Sequence, residues 1–303
     1  MAAGIVRPQS AISSVNIKNF GKQKSVFGIE DPSILVFWAL AMIVVGAFAG
    51  LIAGLLGVGG GIVIVPALYH VLSTVGIDEM IRMHVAVGTS LAIIIPTSII
   101  SSRSHYKRGS VDVGLLKQWG LPLLGGVIVG AIVAAVVSGL VLSAVFATIA
   151  ILVSANMLRG DKGWRAGEAL PGEPARGGIA AFVGLISTMM GIGGGTLSVP
   201  ILTAFSWPIR RAVGTAAAIG VIIAIPGATG FLISGLGVEG RPPFSVGYVN
   251  LIGVALIVPT TMLLAPYGAK LAHTMAPGRL QAAFAIFLGL TALRMWYDVF
   301  TAL

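Results

Sequence analysis

The chain contains no cysteine. That excludes a disulfide framework, thiolate metal sites and thiol chemistry. Charge is scarce too: Asp, Glu, Lys and Arg make up only 10% of the 303 residues, where a soluble globular domain carries roughly 25%. The acidic residues are Glu30, Asp31, Asp78, Glu79, Asp112, Asp161, Glu168, Glu173, Glu239 and Asp298, and none lies deep in an apolar run. A buried carboxylate is the usual proton or sodium handle of a pump or antiporter, so its absence argues against a cation substrate. Paired intramembrane aspartates, a His-Glu-x-x-His motif and a nucleophile–base set are also missing. These absences argue against an enzyme, and no residue pattern calls for a metal or another cofactor. Residues 1–32 lack the continuous apolar core and small-residue cleavage site of a signal peptide.

What remains is apolar. Hydrophobic residues make up 56% of the chain, and the mean hydropathy is +1.00. A chain of this length cannot hide that much apolar surface in a soluble core, so the fold expected is an all-α polytopic membrane protein with the lipid bilayer as its solvent. The 42 glycines and 15 prolines fit, since both are more frequent in membrane helices than in soluble ones. The net charge of +9 is spread over short gaps between apolar runs. There it reads as topogenic, holding loops on the cytoplasmic side, and not as a nucleic-acid surface. Arg7, Lys18, Lys22 and Lys24 make residues 1–32 a basic cytoplasmic tail, with Ile12, Val15, Phe20, Val26 and Phe27 able to lie on the membrane surface as an interfacial helix.

Apolar runs cover about 33–56, 62–74, 85–100, 121–137, 140–158, 178–190, 197–205, 212–233, 246–264 and 280–296. A spanning helix needs about 20 residues. The runs at 62–74 and 197–205 are too short, and each follows a glycine cluster. Gly57-Val58-Gly59-Gly60-Gly61 precedes Pro66, and Gly191-Ile192-Gly193-Gly194-Gly195 precedes Pro200 at the same spacing. Downstream, Ala86-Val87-Gly88-Thr89 is matched by Ala212-Val213-Gly214-Thr215, Pro122 by Pro259, and Leu158-Arg159 by Leu293-Arg294. The expected organisation is a tail (1–32), a first repeat (33–158), a hydrophilic linker (159–177) and a second repeat (178–303). Each repeat would hold four to five helices broken at the glycine-rich motif.

Two arrangements are open. If each cluster interrupts a single crossing, the repeats are parallel, with four crossings each. If each cluster separates two crossings, the repeats are inverted, with five. With the N-terminus inside, the positive-inside bias favours the parallel arrangement, because the basic segments 103–117 and 159–177 then face the cytoplasm.

An interrupted helix in hydrocarbon is tolerated only where protein or a wet cavity covers the unpaired backbone. The half-helix that follows presents free N–H groups and a positive dipole end, and glycines let an anion approach closely. Broken segments at matching places in two halves point to a substrate site between them. Candidate binding residues are therefore Gly57, Gly59, Gly60, Gly61, Gly191, Gly193, Gly194 and Gly195. The hydroxyls of Thr89, Ser90, Thr196 and Thr215 are further candidates, with Ser187 and Thr188 nearby. Arg82, His84, Arg210 and Arg211 stand before the paired helices as electrostatic recruiters. Each has a plainer explanation: close helix packing for the glycines, back-bonds to the helix for the hydroxyls, and snorkelling at helix ends for the arginines. A nucleotide loop is a poor fit, because no Lys-Ser/Thr follows either cluster. If the site reading holds, Gly60→Leu or Gly194→Leu stops transport with the fold intact.

Gly50 to Gly61 (GLIAGLLGVGGG) with Pro66 and Ala86 to Ser90 (AVGTS), repeated from Gly184 to Pro200 and Ala212 to Thr215, resembles the TauE/SafE sulfite exporter family over about residues 40–296. The resemblance implies a permease of the cell inner membrane that exports sulfite or small organosulfonate anions. The second copy has Ala216 where the first has Ser90, so the two halves need not bind alike. Uptake of a sulfur-containing or organic anion, and a non-transporting scaffold or sensor, are the competing functions. Gly- and Ala-rich helix faces are compatible with a homodimer.

Overall fold

A computed structural model of the chain describes residues 32–159, 166–274 and 277–302. The basic tail and the middle of the linker therefore lie outside the described residues. The elements run α1 (Pro32–Leu56), α2 (Gly61–Thr74), α3 (Glu79–Tyr106), α4 (Val113–Val136), α5 (Gly139–Leu158), α6 (Ala175–Met190), α7 (Gly195–Ala204) and α8 (Ile209–Ser234). A two-stranded hairpin (Ser245–Val246 with Val249–Asn250), α9 (Leu251–Thr274) and α10 (Pro277–Ala302) complete the order. Among the described residues six helices, α1, α3, α4, α5, α8 and α9, are long and apolar enough to cross a bilayer. The chain is an all-α polytopic membrane protein.

Helix starts are set locally. The Asp78 carboxylate accepts the Met80 N–H at 2.8 Å, and Asp112 accepts the Leu115 N–H at 2.8 Å, each satisfying a backbone donor the helix cannot. The prolines inside α2, α3, α4, α7, α8 and α9 are tolerated because neighbouring helices cover the freed carbonyls. Helices α2 and α7 hold 14 and 10 residues. At 1.5 Å per residue neither crosses a hydrocarbon layer of about 30 Å.

Contacts between α1–α5 and α6–α10 are reciprocal. Helix α1 packs on α9 while α4 packs on α6, α3 packs on α8, and α5 packs on α10. Strand-like register along these pairs fixes their directions. Gly46, Gly50 and Gly54 of α1 meet Ile257, Thr261 and Ala265 of α9 in rising order. Gly126 and Gly130 of α4 meet Ala181 and Leu185 of α6 likewise. Both pairs are parallel. Between α3 and α8 the order falls: Gly88 lies by Phe231, Leu91 by Gly227, and Ser98 by Gly220. That pair is antiparallel. The halves are thus inverted, not parallel as charge counting with an inside N-terminus favours. The physical reason lies in the glycine clusters: they reverse the chain instead of merely interrupting a crossing. A Cβ on Gly60 would lie 2.9 Å from the carbonyl oxygen of Ala49, eleven positions back along α1.

The parallel seams are built on small residues spaced by four, which let backbones touch. Helix α4 gives a sharp test, because Gly125 and Gly126 are adjacent but differ in surroundings. A Cβ on Gly126 would meet the Ala181 carbonyl, whereas one on Gly125 meets nothing within 4 Å. Gly126→Ala is expected to cost about 1–3 kcal/mol through overpacking. Gly125→Ala should be neutral or slightly stabilising through helix propensity. Thermal unfolding of the detergent-solubilised variants checks this; equal melting temperatures would contradict the α4–α6 contact.

Candidate functional site

The two glycine clusters meet. Gly57 lies against Gly195, Gly59 against Gly193 and Gly61 against Gly191, so the two breaks pass each other antiparallel. A Cβ on Gly59 would lie 3.3 Å from the Gly193 Cα, and one on Gly193 would lie 3.2 Å from the Gly59 Cα. The spacing of glycine at alternate positions is thereby explained by backbone touching backbone. Gly57, Gly59, Gly60, Gly191 and Gly194 also adopt φ of +67° to +80°, a region that costs other residues steric strain. Both segments are buried throughout.

The junction sits near the middle of α3 and α8, which pack on each other across the halves. Gly59 borders Ile94 and Ser98 of α3, and Gly194 borders Ile219 and Ile223 of α8. Helices α2 and α7 both start here, with Gly60 and Gly194 as N-caps and no side-chain capping bond at either. The first N–H groups of a helix have no partner within it, so two positive helix ends converge on one buried place.

Hydroxyls gather around the second break. Ser98, Ser187, Thr196 and Ser198 are 0–3% exposed, and their oxygens pair with no other group among the described residues. A Cβ on Gly220 would lie 2.7 Å from Ser98 Oγ and 2.8 Å from the Gly193 carbonyl oxygen, and one on Gly194 would lie 3.8 Å from Ser198 Oγ. Such buried unpaired groups are rare in native interiors and call for an explanation.

The eight glycines read from the sequence are brought together, with Thr196 beside them. The other candidates are placed differently. Ser90 Oγ donates to the Gly191 carbonyl at 2.7 Å, tying α3 to the second break; Ala216, its counterpart in the other half, has no such donor. Thr89 Oγ1 accepts the Asn250 N–H at 2.8 Å, and Thr215 Oγ1 accepts the Asp112 N–H at 2.9 Å. The paired threonines thus anchor the starts of α9 and α4. Thr188 back-bonds to the Gly184 carbonyl at 2.8 Å. His84 Nε2 lies 3.0 Å from the Ala134 carbonyl, and its ring stacks on Tyr248. Arg82 donates twice to the Ile77 carbonyl and lies over the Tyr69 ring. Arg211 pairs with Asp112 at 3.3 Å, and Arg210 is exposed beside it. These four residues stand near the starts of α3 and α8. Ser98 and Ser198 escaped the sequence reading, although each lies two residues from a proline inside a helix (Pro96 and Pro200).

Thr89→Val and Thr215→Val each leave a backbone N–H without its acceptor, at a cost of about 1–3 kcal/mol. Both should lower the unfolding temperature and leave the affinity of the folded protein for its substrate unchanged. A raised KM with an unchanged melting temperature would instead place these hydroxyls on the substrate.

The family model described as "Sulfite exporter TauE/SafE" matches residues 42–295. A "Probable membrane transporter protein" of Haemophilus influenzae is 32% identical over 259 residues, covering 85% of this chain and 97% of that protein. The "Probable membrane transporter protein YunE" of Bacillus subtilis is 30% identical over 278 residues, covering 85% and 97%. A Methanocaldococcus jannaschii protein of similar designation is 28% identical over 264 residues, covering 84% and 94%. No solved structure matches the chain.

Proposed function

The chain belongs to the TauE/SafE family of membrane transporters, and on that premise we propose that it exports sulfite or a small organosulfonate from the cytoplasm across the cell inner membrane. The anion binds where the two glycine breaks meet. One observation carries this reading: two half-helices from inverted halves start at one buried junction, near the middle of α3 and α8. Broken helices at that depth in matching halves are the architecture of a carrier's midplane site, and two helix N-termini favour negative charge there. Rocking of one half against the other would open the junction to each side in turn. The glycines themselves are spent on packing, so the binding groups are N–H donors and hydroxyls.

Efflux from sulfite-loaded proteoliposomes tests the function. Sulfite or a sulfonate should leave faster than from protein-free vesicles, with sulfate a poorer substrate. Absence of flux for every anion in the panel would leave a scaffold or sensor as the better reading.

Inversion also bears on orientation. One end of the bundle carries Arg103, Lys107, Arg108, Lys117, Arg159, Arg176, Arg210, Arg211 and Lys270, and the other carries Arg82, Arg241 and Arg294. The positive-inside bias therefore turns the α3–α4 turn and the linker toward the cytoplasm, and α1 then enters the bilayer from the outside. Because the chain has no cysteine, single cysteines report orientation without background. In intact cells an impermeant maleimide should label Glu239→Cys and spare Lys107→Cys; the reverse pattern would overturn the orientation.

A further inference from the structure

The hydroxyls at the junction are not shared between the halves. In the register that aligns Gly57 with Gly191, Ser187 corresponds to Ala53, Thr196 to Ile62 and Ser198 to Ile64. In the register that aligns Ala86 with Ala212, Ser98 corresponds to Ala224. Each buried unpaired hydroxyl thus has an apolar counterpart. The first turn of α2 reads Gly61-Ile62-Val63-Ile64, while that of α7 reads Gly195-Thr196-Leu197-Ser198. Both turns are buried, so neither draws donors from solvent.

We infer that the protein holds a single small oxyanion on the α7 side of the junction, through Ser98, Thr196, Ser198 and the first N–H groups of α7, and that the start of α2 is not a second anion site. This rests on the transporter reading. The chemistry follows from the inventory. Hydroxyls and amide N–H groups can donate several hydrogen bonds to the oxygens of a pyramidal sulfite or a tetrahedral sulfonate. Among the described residues no Lys or Arg lies at the junction to hold the anion by full charge, so it can leave as well as enter. The unpaired state of Ser98, Thr196 and Ser198 within a protein interior is explained if their donors serve a transported ligand. At α2 the same helix polarity meets Ile62 and Ile64, which offer an anion no side-chain donor. One end of the junction is therefore polar and the other is a packed apolar wall.

The test compares matched substitutions in the full-length protein reconstituted in liposomes, with sulfite as the probe. Ser98→Ala, Thr196→Val and Ser198→Ala should each raise the KM for sulfite efflux about tenfold to a hundredfold, the range expected for hydrogen bonds to a charged group. Thr196→Ser, which keeps the hydroxyl, should restore the wild-type KM. Ile62→Val and Ile64→Val should leave KM unchanged. Direct sulfite binding to the purified protein should saturate at one anion per chain. Melting temperatures identify any variant that fails to fold, and for such a position the binding stoichiometry of the wild type and the Thr196 pair decide. Wild-type flux with an unchanged KM in the three hydroxyl variants, or two anions bound per chain, would overturn the α7 site alone. No flux of any anion by the wild type would overturn the transporter reading and this site with it.

Discussion

Gly195→Leu is expected to abolish the folded transporter, not merely its activity. A Cβ at this position would meet the Gly57 carbonyl and approach the Gly57 carbonyl carbon and the Val58 Cα to 2.6 Å each. All of these are backbone atoms, so no side-chain rotation relieves the clash. Gly195 opens α7 in one half, and Gly57 closes α1 in the other. The substitution therefore forces apart the junction that joins the halves. Overpacking in a well-packed core costs 1–3 kcal/mol or more, and a rigid backbone contact belongs at the upper end. Leucine adds three further carbons behind that first clash, so the total cost exceeds this range and reaches the low end of a total stability of about 5–15 kcal/mol; loss of most folded protein follows. The measurement is the yield of monodisperse protein after detergent extraction, with Gly125→Ala as the neutral control. The same geometry changes the expectation for the two N-cap glycines. At Gly60 (φ +80°) a side chain would press on Ala49, and at Gly194 (φ +74°) it would press on Ile219 and Ile223. Leucine at either position would damage the fold, so lost transport in such variants cannot by itself mark a binding site. A well-folded Gly195→Leu protein would contradict the contact between the breaks.

The second large effect concerns driving force. The described acidic residues stand at helix ends, at loops or in the linker, so no buried carboxylate offers a coupling site for protons or sodium. Export of an anion then draws on the membrane potential. Moving one charge is worth about 2.3 kcal/mol per 100 mV, which supports a gradient of about 50-fold for a monoanion at about 1.4 kcal/mol per tenfold. Proteoliposomes with a negative interior should expel sulfite until its outside activity exceeds the inside by that order. With the potential clamped to zero, only downhill flux should remain. Uphill export at zero potential that depends on a proton or sodium gradient would show a coupling site in this chain and argue against unassisted efflux.

Much of the fold was legible in the sequence. The matched glycine clusters located the breaks to within a residue, because a glycine run followed by proline in an apolar segment has few other uses. The short runs after each cluster became α2 and α7. Direction was harder. Charge counting compares sides only after the N-terminus has been assigned to one, and with that assignment reversed the same basic residues suit the inverted halves. Site residues divided by mechanism. Glycines were readable because their pattern is local. Thr89 and Thr215 looked like ligands because they recur, yet recurrence also marks a repeated structural bond, here to Asn250 and Asp112. Ser98 had only a weak local signal, the proline two residues before it. Its place beside Gly220 and the second break arises from the antiparallel crossing of α3 and α8, which no single segment encodes.

The anion site at the glycine junction is tested most directly by locating a heavy analogue of sulfite. Selenite bound to the crystallised protein can be placed from selenium anomalous scattering, provided the protein's methionines carry sulfur. One peak between Gly193, Ser98 and the first turn of α7 is the expected result. A peak only at the bundle ends, beside Arg82 or Arg210 and Arg211, or none at selenite concentrations that compete for sulfite efflux, would contradict binding at the junction.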